Sequence, residues 1–231
     1  MKTIWKQIKH FKLTLLITVL AISISRLNAQ GVKSPSSQQY DHQAQKNSHL
    51  VTTKQRKQFN VLAAQANVTF VFPKEFKEIK APDDEDFSFD YGIELPGKEF
   101  EIWFQIKPQK ENWASYEKAK NGNTAQLDNP DSLYASIGAA EALSFTGEKN
   151  YLVRDIPHDY LTRYNADAGK SFLLTLLDNR ATKHYKYALL FALQKFHTGI
   201  IFAVCFTNDK GPEFFKNINK AAAALKFNPQ S

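Results

Sequence analysis

Two long apolar runs, residues 185–196 and 199–207, stand back to back in this chain with His197 and Thr198 between them. A strand with one wet face alternates apolar and polar side chains. Near-continuous apolarity instead marks strands covered on both faces. Read as a hairpin that turns at His197-Thr198, the pair belongs at the centre of a sheet with cover above and below. The rest of the chain must supply that cover.

The neighbouring segments predict further strands. Val68, Phe70 and Phe72 alternate with Thr69 and Val71 before Pro73 ends the run. Residues 87–95 and 100–106 flank Pro96-Gly97, where Pro presets φ and Gly tolerates φ > 0, so they read as a second hairpin. Within it Phe100, Ile102, Phe104 and Ile106 point one way, with Glu101, Trp103 and Gln105 opposite. Residues 171–177 form another strand. Helices are expected from Asp131-Ser132 to about Ser144 (facing Leu133, Ile137, Ala140 and Leu143), over 157–165 and after Pro212, where Phe214, Phe215, Ile218, Ala222 and Leu225 follow at helical spacing. A weaker helix pattern covers residues 53–65. Strands in hairpins with helices between and after them define an α+β domain with a mainly antiparallel sheet.

The N-terminus reads as an export signal. Lys2, Lys6, Lys9 and Lys12 precede a short apolar core at residues 13–24, and Leu27-Asn28-Ala29 offers a small residue at the cut, so cleavage is expected after Ala29. The apolar run is too short to span a bilayer as a helix. An uncleaved anchor is the alternative. Residues 30–50 are polar and lack apolar periodicity, and they read as a flexible tether ahead of a single domain over 51–231. The leader carries five basic residues, with Arg26, and no acid, which lowers the formal charge from +7 to +2 beyond Ala29. Nucleic-acid binding is disfavoured by that balance and by the compartment.

Phe outnumbers Tyr, 18 to 9, which favours core packing. The single Cys, Cys205, sits in the apolar run and reads as a small buried hydrophobe. Gly169-Lys170-Ser171 matches the end of a phosphate-binding loop, but Tyr164 stands where the motif needs its first Gly. Gly169 reads instead as a turn, with Asn165 and Asp167 bonding nearby backbone. Asp83-Asp84-Glu85-Asp86 lacks the spacing and Gly of a calcium loop. Among the histidines after the leader, His42, His49, His158, His184 and His197, no pair has i, i+4 spacing, so no local metal motif or cofactor is implied, although distant His158, His184 and His197 could assemble a site.

Two constellations carry the functional candidates. Ser115 and Lys118 form a Ser-x-x-Lys match and, with His197-Thr198-Gly199, resemble elements of penicillin-interacting serine enzymes: Ser115 as nucleophile, Lys118 as base, and His197 on a strand edge. No Tyr-x-Asn or Ser-x-Asn element accompanies them, and Ser115 also reads as a loop residue. Trp103, Trp113 and Tyr116 are the candidate ligand or partner surface. Trp103 either packs under a helix or lines an open sheet face.

Phe70-Val71-Phe72-Pro73-x-x-Phe76 at the start, two hairpins, and a closing helix ending Ala224-Leu225-Lys226-Phe227 together resemble the PsbP/Mog1-like α/β/α fold over residues 67–227. Asn165-Ala166-Asp167-x-Gly169 is similar to a run in small secreted bacterial proteins. The resemblance implies an accessory or binding module, in this family often without catalysis, and it transfers no site residue. The expectation is therefore a periplasmic or secreted, non-enzymatic domain that binds an envelope protein or a small ligand. The alternative is an envelope hydrolase using Ser115, Lys118 and His197.

Overall fold

A computed structural model describes residues 54–83, 87–122, 127–149 and 151–229, all within one folded unit. The leader with its expected cut after Ala29, the 30–50 tether and most of the acidic run after Asp83 lie outside the described residues. The elements in chain order are helix α1 (54–65), β1 (Val68–Phe70), β2 (Lys77–Ile79), β3 (Tyr91–Glu94), β4 (Phe100–Pro108) and helix α2 (Lys110–Gly122). A 3₁₀ turn (Pro130–Ser132) then leads into α3 (Leu133–Thr146), β5 (Tyr151–Asp155), α4 (His158–Tyr164), β6 (Ala168–Thr175), β7 (Tyr187–Lys195), β8 (Gly199–Thr207), α5 (Pro212–Ala221) and β9 (Leu225–Phe227). No helix among the described residues is long and apolar enough to cross a membrane.

The architecture is α+β. Seven strands form an antiparallel sheet in the order β2-β3-β4-β8-β7-β6-β5, and β1 pairs with β9 in a separate two-stranded sheet. The apolar pair β7 and β8 lies in the interior of the large sheet, Lys195 opposite Gly199, and both its faces are covered. On one face Phe100, Ile102, Phe104 and Ile106 meet Phe59 and Ala63 of α1, Phe214 and Ile218 of α5, and Phe227 of β9. On the other, Trp103, Phe172, Leu190, Phe202 and Phe206 meet Ala142 and Phe145 of α3. The Pro96-Gly97 turn forms as expected, with Gly97 at φ 74°.

Four local expectations change. Helix α3 buries Gly138, Ala142, Phe145 and Thr146, whereas Leu143 is 42% exposed. The helix is apolar nearly all round, so spacing did not select its face. Close approach did: a Cβ at Gly138 would lie 2.8 Å from the Phe172 ring. Asn129, not Asp131, is the side-chain cap, accepting the Asp131 amide. Gly169 lies inside β6 rather than in a turn, pressed between Leu161 and the Ala192 carbonyl, and Asn165 supplies the left-handed residue at φ 51° that ends α4. Finally, Leu225 belongs to β9 and not to the closing helix.

Candidate functional site

The site forms where the β7–β8 turn meets α2 and the 3₁₀ turn. Tight hairpin turns leave backbone amides unpaired at their tips, and two carboxylates take up those of residues 196 and 197. Asp167 Oδ2 accepts the Phe196 amide at 2.9 Å while its Oδ1 holds Lys195 Nζ at 2.9 Å. Asp131 Oδ1 accepts the His197 amide at 2.9 Å. Held from both sides, His197 adopts φ 58°, a left-handed conformation that non-glycine residues rarely keep without such support.

Asp131 does more than pin the turn. The same Oδ1 receives the Trp113 indole N–H at 3.0 Å and Gln194 Nε2 at 3.0 Å, and Oδ2 lies 3.4 Å from His197 Nε2. Gln194, fully buried, also donates to Gln109 Oε1 at 3.0 Å, and Gln109 Nε2 reaches the Pro130 carbonyl at 2.9 Å. A polar knot thus joins four elements beneath an aromatic surface. On that surface the Trp113 ring stands edge-to-face with His197 (4.1 Å between centroids) and with Tyr116 (5.1 Å). Trp113 and Tyr116 are half-buried, and the His197 side chain is 65% exposed.

The expected site residues divide. Trp113, Tyr116 and His197 come together. Trp103 is not part of this surface: it takes the covered alternative, 1% exposed, packed 4.2 Å from the Phe206 ring, with its indole N–H on Glu101 at 3.2 Å. Ser115 and Lys118 are exposed on α2, which is a helix and not a loop. At about 100° per residue, both project from the side of α2 opposite Trp113. Among the described residues Ser115 makes no hydrogen bond to Lys118 or His197, which engages Asp131 instead. The histidines are likewise separate. His184 pairs with Asp178, His158 begins α4, and no three His, Cys, Asp or Glu side chains among the described residues group around a possible metal.

A carboxylate elsewhere in the fold, this one buried, shows the same habit of acting as acceptor. Glu101, 4% exposed, accepts from Lys183 Nζ at 2.5 Å, from the Trp103 indole, and from the Tyr185 hydroxyl at 3.4 Å. Burial first, and then the Glu101 charge, pushes the Tyr185 hydroxyl above its ordinary range. Sequence reading found Trp113, Tyr116 and His197 but not Asp131, Gln109 or Gln194, which organise them. The available signal was Gln194 itself, an uncharged polar residue inside an apolar strand. No protein-family model matches this chain, and no curated protein sequence matches it.

Proposed function

We propose that this protein is an exported, non-enzymatic binding module of the cell envelope that holds a partner protein on the Trp113–Tyr116–His197 surface. The observation that carries this reading is the state of Trp113. Its one polar group is spent internally on Asp131, so the indole offers the outside only ring surface, and its orientation is fixed before any partner arrives. Rigid, half-buried Trp and Tyr side chains dominate the energetics of protein interfaces, and preorganisation lowers the entropy lost on binding.

Export rests on the N-terminal pattern of residues 1–29, with release after Ala29 into the periplasm or beyond. The PsbP/Mog1-like reading is favoured by the opening Phe-x-Phe-Pro strand and by helices on both faces of an antiparallel sheet. The test places a photocrosslinking p-benzoylphenylalanine at position 116 and, as a control, at exposed position 226. Expected are partner adducts from 116 alone, reduced at least fivefold by Trp113→Ala. Equal crosslinking from both positions, or none from 116, overturns the assignment. Sequencing the N-terminus of native protein, expected to begin at Gln30, checks export separately.

A further inference from the structure

Residues paired across neighbouring strands share a face, so each sheet face is ruled into rows of side chains. On the face that carries α1 and α5, one row runs Arg154–Ser171–Phe191–Ala203–Phe104, from the β5 edge to the middle of the sheet. Phe104 lies in the core, whereas Phe191 and Ala203 are only half-buried. The row beside it, Leu152–Leu173–Leu189–Cys205, is also buried at its inner end and open at its outer one, where Leu152 is 62% exposed. Ile156 and Leu161 of α4 close over the third row at Gly169. The two uncovered rows form an apolar trough between α4 and α5. At its inner end the trough deepens into a cavity of about 40 Å³, walled by Tyr164, Ile218, Ala221, Phe191, Ala203 and Cys205 among others. The side chains around it are hydrocarbon apart from the Tyr164 hydroxyl and the Cys205 thiol.

Three properties of the trough select its occupant. A buried water needs about two to four polar partners, which these walls do not supply, so the cavity favours hydrocarbon. On the measure by which one water takes about 10–15 Å³, it has room for about three methylene-sized groups, the end of a single chain. The outer end of the row is cationic. Arg154 is exposed, and its neighbour Asp155 turns to the other face to hold Lys170 Nζ at 2.6 Å. Among the described residues no carboxylate pairs with the Arg154 guanidinium. The Ser171 hydroxyl, next in the row, is held only by the Arg154 carbonyl at 3.4 Å. Finally, Arg154 and Ala203 are three strand spacings apart, about 14 Å. C–C bonds of about 1.52 Å at tetrahedral angles advance about 1.25 Å per carbon, so that span matches a chain of about twelve carbons.

We infer that this trough binds one free fatty acid of about twelve carbons, with its carboxylate on Arg154 and Ser171 and its methyl end in the cavity beside Ala203. Trp113, Tyr116 and His197 do not line the cavity, so this site and the partner surface stand or fall separately. The test is calorimetric titration of the purified full chain with sodium dodecanoate below its micellar concentration. Saturable binding of one molecule per chain is expected. Affinity should rise by about fourfold per methylene from octanoate to dodecanoate, as each is buried, and level off towards hexadecanoate, whose extra carbons stay outside. Arg154→Glu, at an exposed position, should weaken dodecanoate at least about tenfold and strengthen dodecyltrimethylammonium. Ala203→Leu fills the cavity and should weaken both amphiphiles; if urea unfolding shows that it disturbs the fold, Arg154→Glu decides alone. The proposal is overturned by any of three results: no saturable binding, dodecanoate affinity unchanged by Arg154→Glu, or affinity that climbs steadily through hexadecanoate. Co-sedimentation with phosphatidylglycerol vesicles without binding of free dodecanoate would also overturn it, in favour of a membrane surface.

Discussion

Removing Asp131 tests whether the aromatic surface is held by the polar knot beneath it. Asp131→Ala deprives three donors of one carboxylate oxygen: the Trp113 indole, the His197 amide and the Gln194 side chain. A hydrogen bond to a charged group contributes about 1.5–3 kcal/mol, but the three losses are unequal. Gln194 keeps Gln109 Oε1 and the Lys195 carbonyl, so its loss is small. The His197 amide sits in an exposed turn, where water replaces the carboxylate and the cost falls to about 0.5–1 kcal/mol. The Trp113 indole, half-buried against His197 and Tyr116, carries about 1–2 kcal/mol. The expected destabilisation is therefore about 2–3 kcal/mol in urea unfolding. Asp131→Asn keeps an oxygen for all three donors and should lose about 1 kcal/mol or less. Nitrogen-15 spectra of the Trp side chains provide the local readout: Trp113 should exchange its indole proton much faster in the Ala variant, with Trp103 unchanged. If both variants lose under about 0.5 kcal/mol, or if Trp113 exchange is unaffected, the knot does not organise the surface.

Three further outcomes follow from the same structure. Glu101→Leu strands the buried Trp103 indole N–H and should cost about 1–3 kcal/mol by urea unfolding, with a shift in Trp103 emission; a neutral result would show that the indole finds another acceptor. Burial raises Asp90 above the ordinary carboxylate range despite its bond to the Ile106 amide at 2.7 Å. A folded value above the unfolded one gives stability that is full below about pH 4 and is lost as pH rises through the folded value. Asp90→Asn, which keeps the acceptor, should therefore gain on the wild type between acid and neutral pH, and parallel stability–pH curves would refute this. Burial likewise raises the Cys205 thiol, so an aromatic disulfide reagent should label it only on unfolding, and rapid labelling of native protein would contradict its place in the core.

How far the sequence led depended on how strongly each segment's periodicity was enforced by burial. β4, β7, β8 and the two hairpins were legible because alternation or continuous apolarity over nine residues leaves one alignment. α2 was not legible: it buries no residue, so no apolar stripe marks a helix there, and Trp113 and Tyr116 stood out by type without the helix that presents them. β2 and β9 have three residues each, too few for a period to register. β5 mixes apolar and charged residues because it is an edge, and edges lack the double cover that makes a strand's pattern clear. In the site, the aromatic members were visible by type. Asp131 looked like a helix cap, since a capping carboxylate and one that accepts from a distant indole and turn are the same residue in sequence. Only the fold, which returns the β7–β8 turn to the start of α3, separates them.

The acids of this domain share a role that bears on what the surface can do. Asp90, Asp131, Asp167 and Asp209 accept backbone amides of Ile106, His197, Phe196 and Gly211, at strand ends and turns that no disulfide ties down. Glu101 accepts from Lys, Trp and Tyr side chains in the core. A carboxylate whose lone pairs already serve several N–H groups is a poor general base, because taking a proton would cost those bonds. The chain thus spends these four aspartates on holding turns and strands in place. What those turns then present around Trp113 is ring surface beside an imidazole, with the indole N–H withheld. On the proposed reading, recognition by such a surface works mainly through shape and apolar contact, with polarity entering through the His197 imidazole and the Tyr116 hydroxyl. His197→Ala should therefore weaken partner capture less than Trp113→Ala, because it removes one edge of the indole's support while the Asp131 bond still fixes the ring.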